Sequence, residues 1–375
     1  MPNIETLMLH FSIIKDPRQS AKVDYPLFDV LFGALCAVIA GARGWTDIRE
    51  YVLGHHDWFL KQNMFVNGVP VDDTFARLIA SIEPQAFREC FLSWMKAVHR
   101  LTHGEVVAID GKTLRGSYHP DDRHSAIHMI SAYASANQLV LGQMKTDCKS
   151  NEITAIPALI TLLDLRGALV TIDAMGCQTK IAKAILKQGG DYLLAVKGNQ
   201  GSLANAVHKA FMSCRQAVLA EAKCLSEYHH GRVESRSCHV LSAALLEGDF
   251  SGWEGLQTVV MVENYRAEKD KTPVLEHRYY ISSKNLTAEQ AGQAVRSHWG
   301  IESMHWILDV SLGEDACPIY RENAAENWVA LRHMALNMIR AEPTKISVPM
   351  KQKRCLMNTG YLERVLMAGI PLAVN

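Results

Sequence analysis

Two aspartates stand directly after short apolar runs whose composition favours β-strands. Asp110 closes the run EVVAID (105–110), and Asp173 closes the run LVTID (169–173). At the ends of neighbouring strands these carboxylates would lie side by side and repel each other unless a cation neutralised them. Carboxylate oxygens are the hard ligands that Mg²⁺ or Mn²⁺ prefers. For either aspartate alone an acidic turn residue is the simpler interpretation, but their matching positions favour a metal site.

A third acid comes from a segment with helical periodicity. Thr287 and Gln290 form a T-x-x-Q capping box, which predicts a helix that runs to about Val310, roughly 35 Å at 1.5 Å per residue. Four polar residues share one stripe of this helix: His298, Glu302, His305 and Asp309. The stripe is either a solvated face or a functional one, in which Glu302 points at the edge of the sheet and completes a metal site.

The order of the predicted elements indicates how these acids are positioned. The first hundred residues are typical of four or five helices, including a buried one at Leu27–Ala42, and contain no convincing strand. Beyond Gly104 the order is β-β-β-α-β-α-β, with a helix starting at Pro157, which predicts a mixed sheet flanked by helices, an α/β (α+β) fold. Residues 225–283 alternate in polarity and predict further strands. The predicted domains are a helical N-terminal domain (1–103), the first part of the core (104–222), a β-rich insertion (223–285), the capped helix with the rest of the core (286–340) and a basic tail (341–375).

Charge and apolar content exclude several classes of protein. The 375 residues carry 39 basic and 39 acidic side chains, which excludes binding of nucleic acid through bulk positive charge. The longest apolar stretch, Val30–Ala42, has 13 residues, whereas a bilayer span needs about 20. The first residues also lack a signal-peptide pattern, so we expect no membrane association. Nine scattered cysteines without a CxxC pair are typical of a reduced cytoplasmic protein.

Six segments stand in a recognisable order along the chain: AIDGKTLRGS (108–117), KSNEITAIP (149–157), TIDAMGCQ (171–178), DYLLAVKGNQG (191–201), RYYISS (278–283) and VRSHWGIE (295–302). Together they resemble the motifs of the H-repeat-associated transposases, bacterial insertion-sequence transposases of the DDE type. The resemblance implies an RNase H-like catalytic core with a β-rich insertion before its last catalytic helix. It also implies that Asp110, Asp173 and Glu302 are catalytic and hold two Mg²⁺ (or Mn²⁺) ions, which activate water or a DNA 3′-hydroxyl for cleavage and strand transfer.

The implied partner is DNA, both the terminal repeats of the element and the target. Because two ends must be joined, we expect a homodimer or a higher multimer on DNA, in the bacterial cytoplasm and associated with the nucleoid. Nine basic, polar or aromatic residues near the motifs are predicted DNA contacts, with a solvated surface charge as the alternative for each cation: Lys112, Arg115, Lys197, Asn199, His230, Arg232, Arg296, His298 and Trp299.

The C-terminal segment carries local positive charge. Residues 321–375 contain eight basic and four acidic residues. We expect a short tail with one helical turn around Tyr361–Met367. Its cluster of Lys351, Lys353 and Arg354 is predicted to contact the DNA backbone.

Two other functions stay open. The sequence Glu302-Ser303-Met304-His305-Trp306 is one residue shorter than the E-x-x-x-H-W spacing associated with the family, and Pro318 stands where the family carries a basic residue. Both departures bear on catalytic activity, and the shorter spacing favours a catalytically impaired DNA-binding relic. An RNase H-like nuclease or resolvase is the third interpretation, but such an enzyme needs neither the N-terminal helices nor the long insertion.

Overall fold

A computed structural model describes residues 4–19, 21, 23–99, 104–122, 125–146, 152–214, 223–229, 232–268 and 271–370. The helices in these ranges are α1 Ile4–Phe11, α2 Leu27–Ile39, α3 Trp45–Gly54, α4 His56–Leu60, α5 Asp72–Ser81, α6 Pro84–Val98, α7 Glu152–Leu162, α8 Thr179–Lys187, α9 Gly201–Ser213, α10 Ala288–His298, α11 Gly300–Val310, α12 Ala324–Ala341, α13 Val348–Met357 and α14 Thr359–Gly369. The strands are β1 Val106–Thr113, β2 His128–Ala134, β3 Leu139–Thr146, β4 Leu169–Ile172, β5 Asp191–Val196, β6 Lys223–His229, β7 Arg232–Ser242, β8 Thr258–Glu268 and β9 Val274–Ser282.

The strands form a nine-stranded mixed sheet in the order β3-β2-β1-β4-β5-β9-β8-β7-β6. Strands β1, β4 and β5 are parallel, whereas β2 and β3 pair antiparallel on the other side of β1. This arrangement confirms the predicted mixed sheet and the RNase H-like core. Because β1 and β4 are parallel neighbours, the residues that follow their paired segments reach the same edge of the sheet.

The strands of residues 225–283 extend this sheet, so the prediction of several strands in this region is confirmed. Strand β9 pairs antiparallel with β5, with Leu193 opposite Ser282, and β8, β7 and β6 follow outward. The insertion therefore shares one sheet with the core, and the boundaries assigned to the domains stay a prediction. Two predicted DNA contacts, His230 and the side chain of Arg232, lie outside the described residues.

The N-terminal helices share a hydrophobic core with the sheet and with α12. Six helices precede β1 in the described ranges, against the four or five predicted. Residues 327–339 of α12 are all buried, and the side-chain amide of Asn337 exchanges two hydrogen bonds of 2.9 Å with the backbone of Val140 in β3. Helix α2 is the most apolar of the set, yet no helix in the described ranges is long and apolar enough to cross a membrane.

The helix predicted from the capping box to about Val310 is two helices. The capping box itself is confirmed, since Thr287 and Gln290 bond each other's backbone N–H groups. Helices α10 and α11 then follow, with Trp299 between them. The prediction of one continuous helix is therefore wrong.

A hydrogen bond from Ser135, the residue that follows β2, explains the break between α10 and α11. The hydroxyl of Ser135, just beyond β2, donates to the carbonyl oxygen of Ser297 at 2.9 Å. That carbonyl would accept from the N–H of Ile301 in a continuous helix, and a side chain inserted into this ladder is a known cause of kinks. A Cβ on Gly300 would lie 3.3 Å from the ring of Tyr133, so the chain also passes the sheet closely at this point.

The C-terminal segment is a helix pair, so the prediction of a short tail is wrong. Helices α13 and α14 pack on α2 and α12, because their apolar residues complete the same core. Lys351 is only 5 % exposed, and its ammonium donates to the carbonyl of Ile339 at 2.9 Å and lies 3.1 Å from the carboxylate of Glu342. Lys351 is thus a structural cation, whereas Lys353 and Arg354 are exposed.

Candidate active site

Strands β1 and β4 bring Asp110 and Asp173 to the same level of the sheet. Their parallel register pairs Ile109 with Ile172, so the next residue in each chain is an aspartate at the same edge. The Oδ1 atom of Asp173 accepts hydrogen bonds from two backbone N–H groups of the turn that follows, at 3.1 and 3.3 Å. The predicted side-by-side placement of the two residues is therefore confirmed.

Strand β1 continues past Asp110, toward a buried acid–histidine pair. It runs to Thr113 along β2, so the prediction that Asp110 ends the strand is wrong. The Nε2 atom of His128 lies 2.5 Å from Oε1 of Glu152, and Nδ1 lies 2.8 Å from the hydroxyl oxygen of Thr113. A Cβ on Gly111 would lie 2.5 Å from both Oε1 of Glu152 and Nε2 of His128, so this position accepts glycine alone without displacement of the pair.

Glu152 is a site residue that sequence reasoning missed. It stands in the segment KSNEITAIP and in the first turn of α7. The sequence predicted that this helix begins at Pro157, but Pro157 lies inside it. Burial of the apolar side chains of α7 outweighs the one backbone hydrogen bond that a proline cannot donate. The earlier start brings the carboxylate of Glu152 to the strand of Asp110.

Asp110 lies in an excess of negative charge. Burial, together with the charges of Asp173, Glu152 and Glu302, raises the pKa of its carboxyl to about 7. The Nδ1 atom of His305 lies 3.8 Å from Oδ2 of Asp110, but burial lowers the pKa of His305 to about 4, so this ring is neutral at pH 7. A buried carboxyl that three neighbouring carboxylates disfavour in its ionised form, with a neutral imidazole beside it, is a group that a divalent cation would stabilise.

Glu302 occupies a different position from the two aspartates. It lies in the first turn of α11 and its side chain is exposed, and its charge has the smallest effect of the three on Asp110. In the ranges that the structure describes, no three histidine, cysteine or carboxylate side chains lie close enough together to hold a metal ion. The sheet sets the positions of Asp110 and Asp173, and the position of α11 sets how close Glu302 lies to them.

Lys112 does not have the free ammonium that its predicted role as a DNA contact requires. Its side chain is 12 % exposed, and the ammonium contacts the carboxylate of Asp309 and lies 2.7 Å from Glu314 and 3.6 Å from Asp315. Although burial opposes it, the carboxylates of Glu314 and Asp309 raise the pKa of Lys112. Two of the three donors of the ammonium bond Asp309 and Glu314, and Asp315 lies beside the third. Lys112 is thus held by carboxylates of the protein, and its prediction as a DNA contact is corrected.

Arg115 and Lys197 are exposed at the edge that carries the two aspartates. Arg115 follows β1 with 85 % of its side chain exposed, 3.7 Å from Asp315, and Lys197 follows β5. Asn199 is also exposed, but its amide donates to the carbonyl of Ala174 at 2.6 Å. Asn199 therefore ties the loop after β5 to the turn after β4.

The other predicted DNA contacts lie at the break between α10 and α11. Arg296 is exposed, and 46 % of Trp299 is exposed. His298 faces the sheet, where its Nδ1 lies 2.9 Å from the hydroxyl oxygen of Thr171, and burial lowers its pKa. Arg296 and Trp299 are thus accessible to a ligand, whereas His298 supports the strand that precedes Asp173.

The mixed sheet and its acidic edge define a protein of the RNase H-like class. The chain belongs to the transposase DDE family: the model of the transposase DDE domain matches residues 102–338, and a DDE_Tnp_1-associated model matches residues 8–95. The chain is similar to the "H repeat-associated putative transposase YhhI" of Escherichia coli K12, with 45% identity over 372 residues that cover 97% of this chain and 98% of that protein. It is also similar to the "Putative transposase YncI" of Escherichia coli O157:H7, with 45% identity over 371 residues that cover 97% and 95%. The family resemblance seen in the sequence is confirmed.

Gly111→Ala tests the packing beside Asp110. The added methyl group would separate Glu152 from His128, and we expect the free energy of unfolding to fall by roughly 1–3 kcal/mol, as for other overpacked sites. Gly198→Ala is the matched control at the same edge, because a Cβ there meets nothing within 4 Å. We expect it to change stability by less than about 0.5 kcal/mol in urea denaturation. Equal stabilities of the two variants would contradict the close approach at Gly111.

Proposed function

We propose that the chain is a DNA transposase that cleaves DNA at the ends of an insertion sequence and joins them to a target, with divalent metal held by Asp110, Asp173 and Glu302. The parallel register of β1 and β4 carries the proposal, because it sets two carboxylates beside each other at one edge. The chain belongs to the transposase DDE family, and 97% of it aligns with relatives named as transposases. Both findings support the same chemistry.

The side chains at this edge suit Mg²⁺ or Mn²⁺. Carboxylates are hard oxygen donors, and burial together with neighbouring carboxylates raises the pKa of Asp110, so the site favours added positive charge. Asp110 and Asp173 would hold metal from the sheet and Glu302 from α11. When bound, two ions would activate the attacking water or 3′-hydroxyl and stabilise the leaving oxygen.

The protein's own contacts fix the first two acids before any ligand binds. The backbone N–H groups that donate to Oδ1 of Asp173 set the direction of its second oxygen. The pair formed by Glu152 and His128 packs against the backbone of Gly111 and so restrains β1 next to Asp110. Cleavage by water and joining by a 3′-hydroxyl need no covalent protein–DNA intermediate.

DNA would lie along the exposed side chains around the acids. Arg115 and Lys197 would contact phosphates at the edge of the sheet, and Arg296 would do so beside α11. Trp299 and Trp306 are 46 % and 62 % exposed, and indole rings can stack on unpaired bases. Trp306 entered the sequence-based predictions only in the spacing after Glu302, and it was not predicted as a DNA contact. Because two element ends must be joined, we propose a dimer or higher multimer on DNA.

A catalytically impaired relic that binds DNA is the second candidate. The exposed side chain of Glu302 and the absence of a metal-binding group of three within the described ranges favour it. The short spacing to His305 does not distort the chain, since α11 is helical from Gly300 to Val310. Pro318 interrupts no helix either, because it lies in the irregular segment between α11 and α12.

Asp110→Asn and Asp173→Asn test the metal site. Each variant keeps the size of the side chain and removes a ligand charge, so we expect Mg²⁺-dependent strand transfer of the element's own ends to fall about 10³-fold or more. Asp121→Asn is the control, since 91 % of that side chain is exposed, and it should stay within about twofold. Strand transfer that survives in either site variant would contradict the metal site. A wild-type chain that binds the ends but never cuts them would favour the relic.

Arg115→Ala and Lys197→Ala test the proposed DNA surface. If each side chain meets one phosphate, each variant should lower the slope of log K against log salt concentration by about 0.9. Arg166→Ala is the control, because Arg166 is 81 % exposed but precedes β4 at the opposite edge of the sheet. Unchanged slopes in both site variants, or an equal change in the control, would place the DNA elsewhere.

A further inference from the structure

We propose that Lys112 positions the third acid of the site: its ammonium clamps α11 to β1 through Asp309 and so sets where Glu302 lies relative to Asp110. This inference rests on the function proposed above, because it assigns a role to residues around the same acids. It makes Lys112 a positioning residue, in place of the DNA contact that the sequence indicated.

Lys112 is placed to act on the two elements that carry the acids. It stands two residues after Asp110 in β1, so the two side chains leave the same face of the sheet. Its ammonium contacts the carboxylate of Asp309, and 12 % of its side chain is exposed. Among the described residues, Asp309 has no other cationic side chain within ion-pair distance. The contact therefore joins α11 directly to the strand of Asp110.

Helix geometry couples Asp309 to Glu302. The two residues are seven apart in α11, which is close to two turns, and they differ in direction by only about 20° around the helix axis. A rotation of α11 that moved Asp309 from Lys112 would therefore turn Glu302 by the same angle. The ion pair sets the rotation of the helix as well as its distance from β1.

Helix α11 needs such a clamp because the break at Trp299 separates it from α10. Near its start, the hydrogen bond from Ser135 to Ser297 holds the end of α10 and not α11 itself. Its buried face, formed by Met304 and its apolar neighbours, is attracted to the core without directional preference. A charge-assisted hydrogen bond adds the direction that apolar packing lacks.

The ammonium of Lys112 has a second carboxylate partner, Glu314. This residue is 2 % exposed, and its backbone N–H donates to the carbonyl of Leu308 at 3.0 Å. Burial alone would raise the pKa of Glu314, but the charges of Lys112, His333 and Arg332 lower it, so the carboxylate is ionised. Because Glu314 lies 2.7 Å from the ammonium and is bonded through its backbone to Leu308 of α11, this second contact also ties Lys112 to the end of the helix.

A matched pair of carboxylates separates positioning from general electrostatics. Asp309 and Asp315 both face Lys112, and their side chains are 30 % and 29 % exposed. Only Asp309 belongs to α11, whereas Asp315 lies in the loop that follows. Asp309→Asn and Asp315→Asn therefore remove the same charge from around Lys112, but only the first removes an ion pair that a side chain of α11 itself makes. Both variants leave Glu314 to neutralise Lys112, so both are expected to fold.

The first readout is amide hydrogen exchange in the full-length protein without metal or DNA. We expect exchange in peptides from 300–310 to be roughly tenfold faster in Asp309→Asn than in wild type and unchanged in Asp315→Asn. Asp309→Glu keeps the charge and should restore most of the protection. Equal exchange in Asp309→Asn and Asp315→Asn would overturn the proposal, and so would unchanged exchange in Asp309→Asn. This readout is independent of catalysis, so it remains decisive even if the proposed transposase activity fails.

The second readout is strand cleavage of the element's ends at varied Mg²⁺ concentration. Misplacement of Glu302 should lower kcat of Asp309→Asn by roughly tenfold to a hundredfold and raise the Mg²⁺ concentration for half-maximal rate, with DNA affinity unchanged. Asp315→Asn should stay within about twofold of wild type. Faster exchange in Asp309→Asn with wild-type kcat and wild-type Mg²⁺ dependence would show that the clamp stabilises the helix without positioning Glu302, and would overturn the proposal.

Discussion

Repulsion between carboxylates at one edge of the sheet is the interaction on which the rest of the structure depends. The parallel register of β1 and β4 sets Asp110 beside Asp173, and α7 adds Glu152 nearby. Burial and these neighbours raise the pKa of Asp110, which is the physical sign of charge that the protein does not compensate. A fold that only needed stability would avoid this arrangement, since buried charges without a partner are costly. The arrangement is explained if a cation from solution completes it.

The chain compensates a second group of acids with its own cation. Lys112 neutralises Asp309, Glu314 and Asp315, only two residues from Asp110 in the same strand. Two acidic groups therefore lie next to each other: Lys112 neutralises one, and the group around Asp110 keeps an excess of negative charge. Within the neutralised group, Asp309 holds the helix that carries the third acid, whereas the group around Asp110 is the proposed metal site. The zero net charge of the chain is thus compatible with an enzyme acting on DNA, because its positive charge is local.

The parts of the fold that short-range patterns encode were predictable from the sequence. Apolar runs that end in Asp110 and Asp173 identified two strands and their shared edge, and the capping box at Thr287 identified the start of α10. The parts that depend on distant contacts were not. The break at Trp299 comes from Ser135, and α13 and α14 follow from packing on α2 and α12. Within the site, the roles of Glu152 and Lys112 depend on partners that are 24 and 197 residues away, and no local pattern predicts them.

Iron-directed cleavage of the protein backbone measures whether Asp110, Asp173 and Glu302 together hold divalent metal. Fe²⁺ bound in place of Mg²⁺, in the presence of ascorbate and peroxide, generates radicals that cut the chain near the ion. We expect cuts close to all three acids, suppressed by excess Mg²⁺ and lost in Asp110→Asn. Cuts confined to other segments, or a pattern unaffected by Asp110→Asn, would contradict a metal site at these acids.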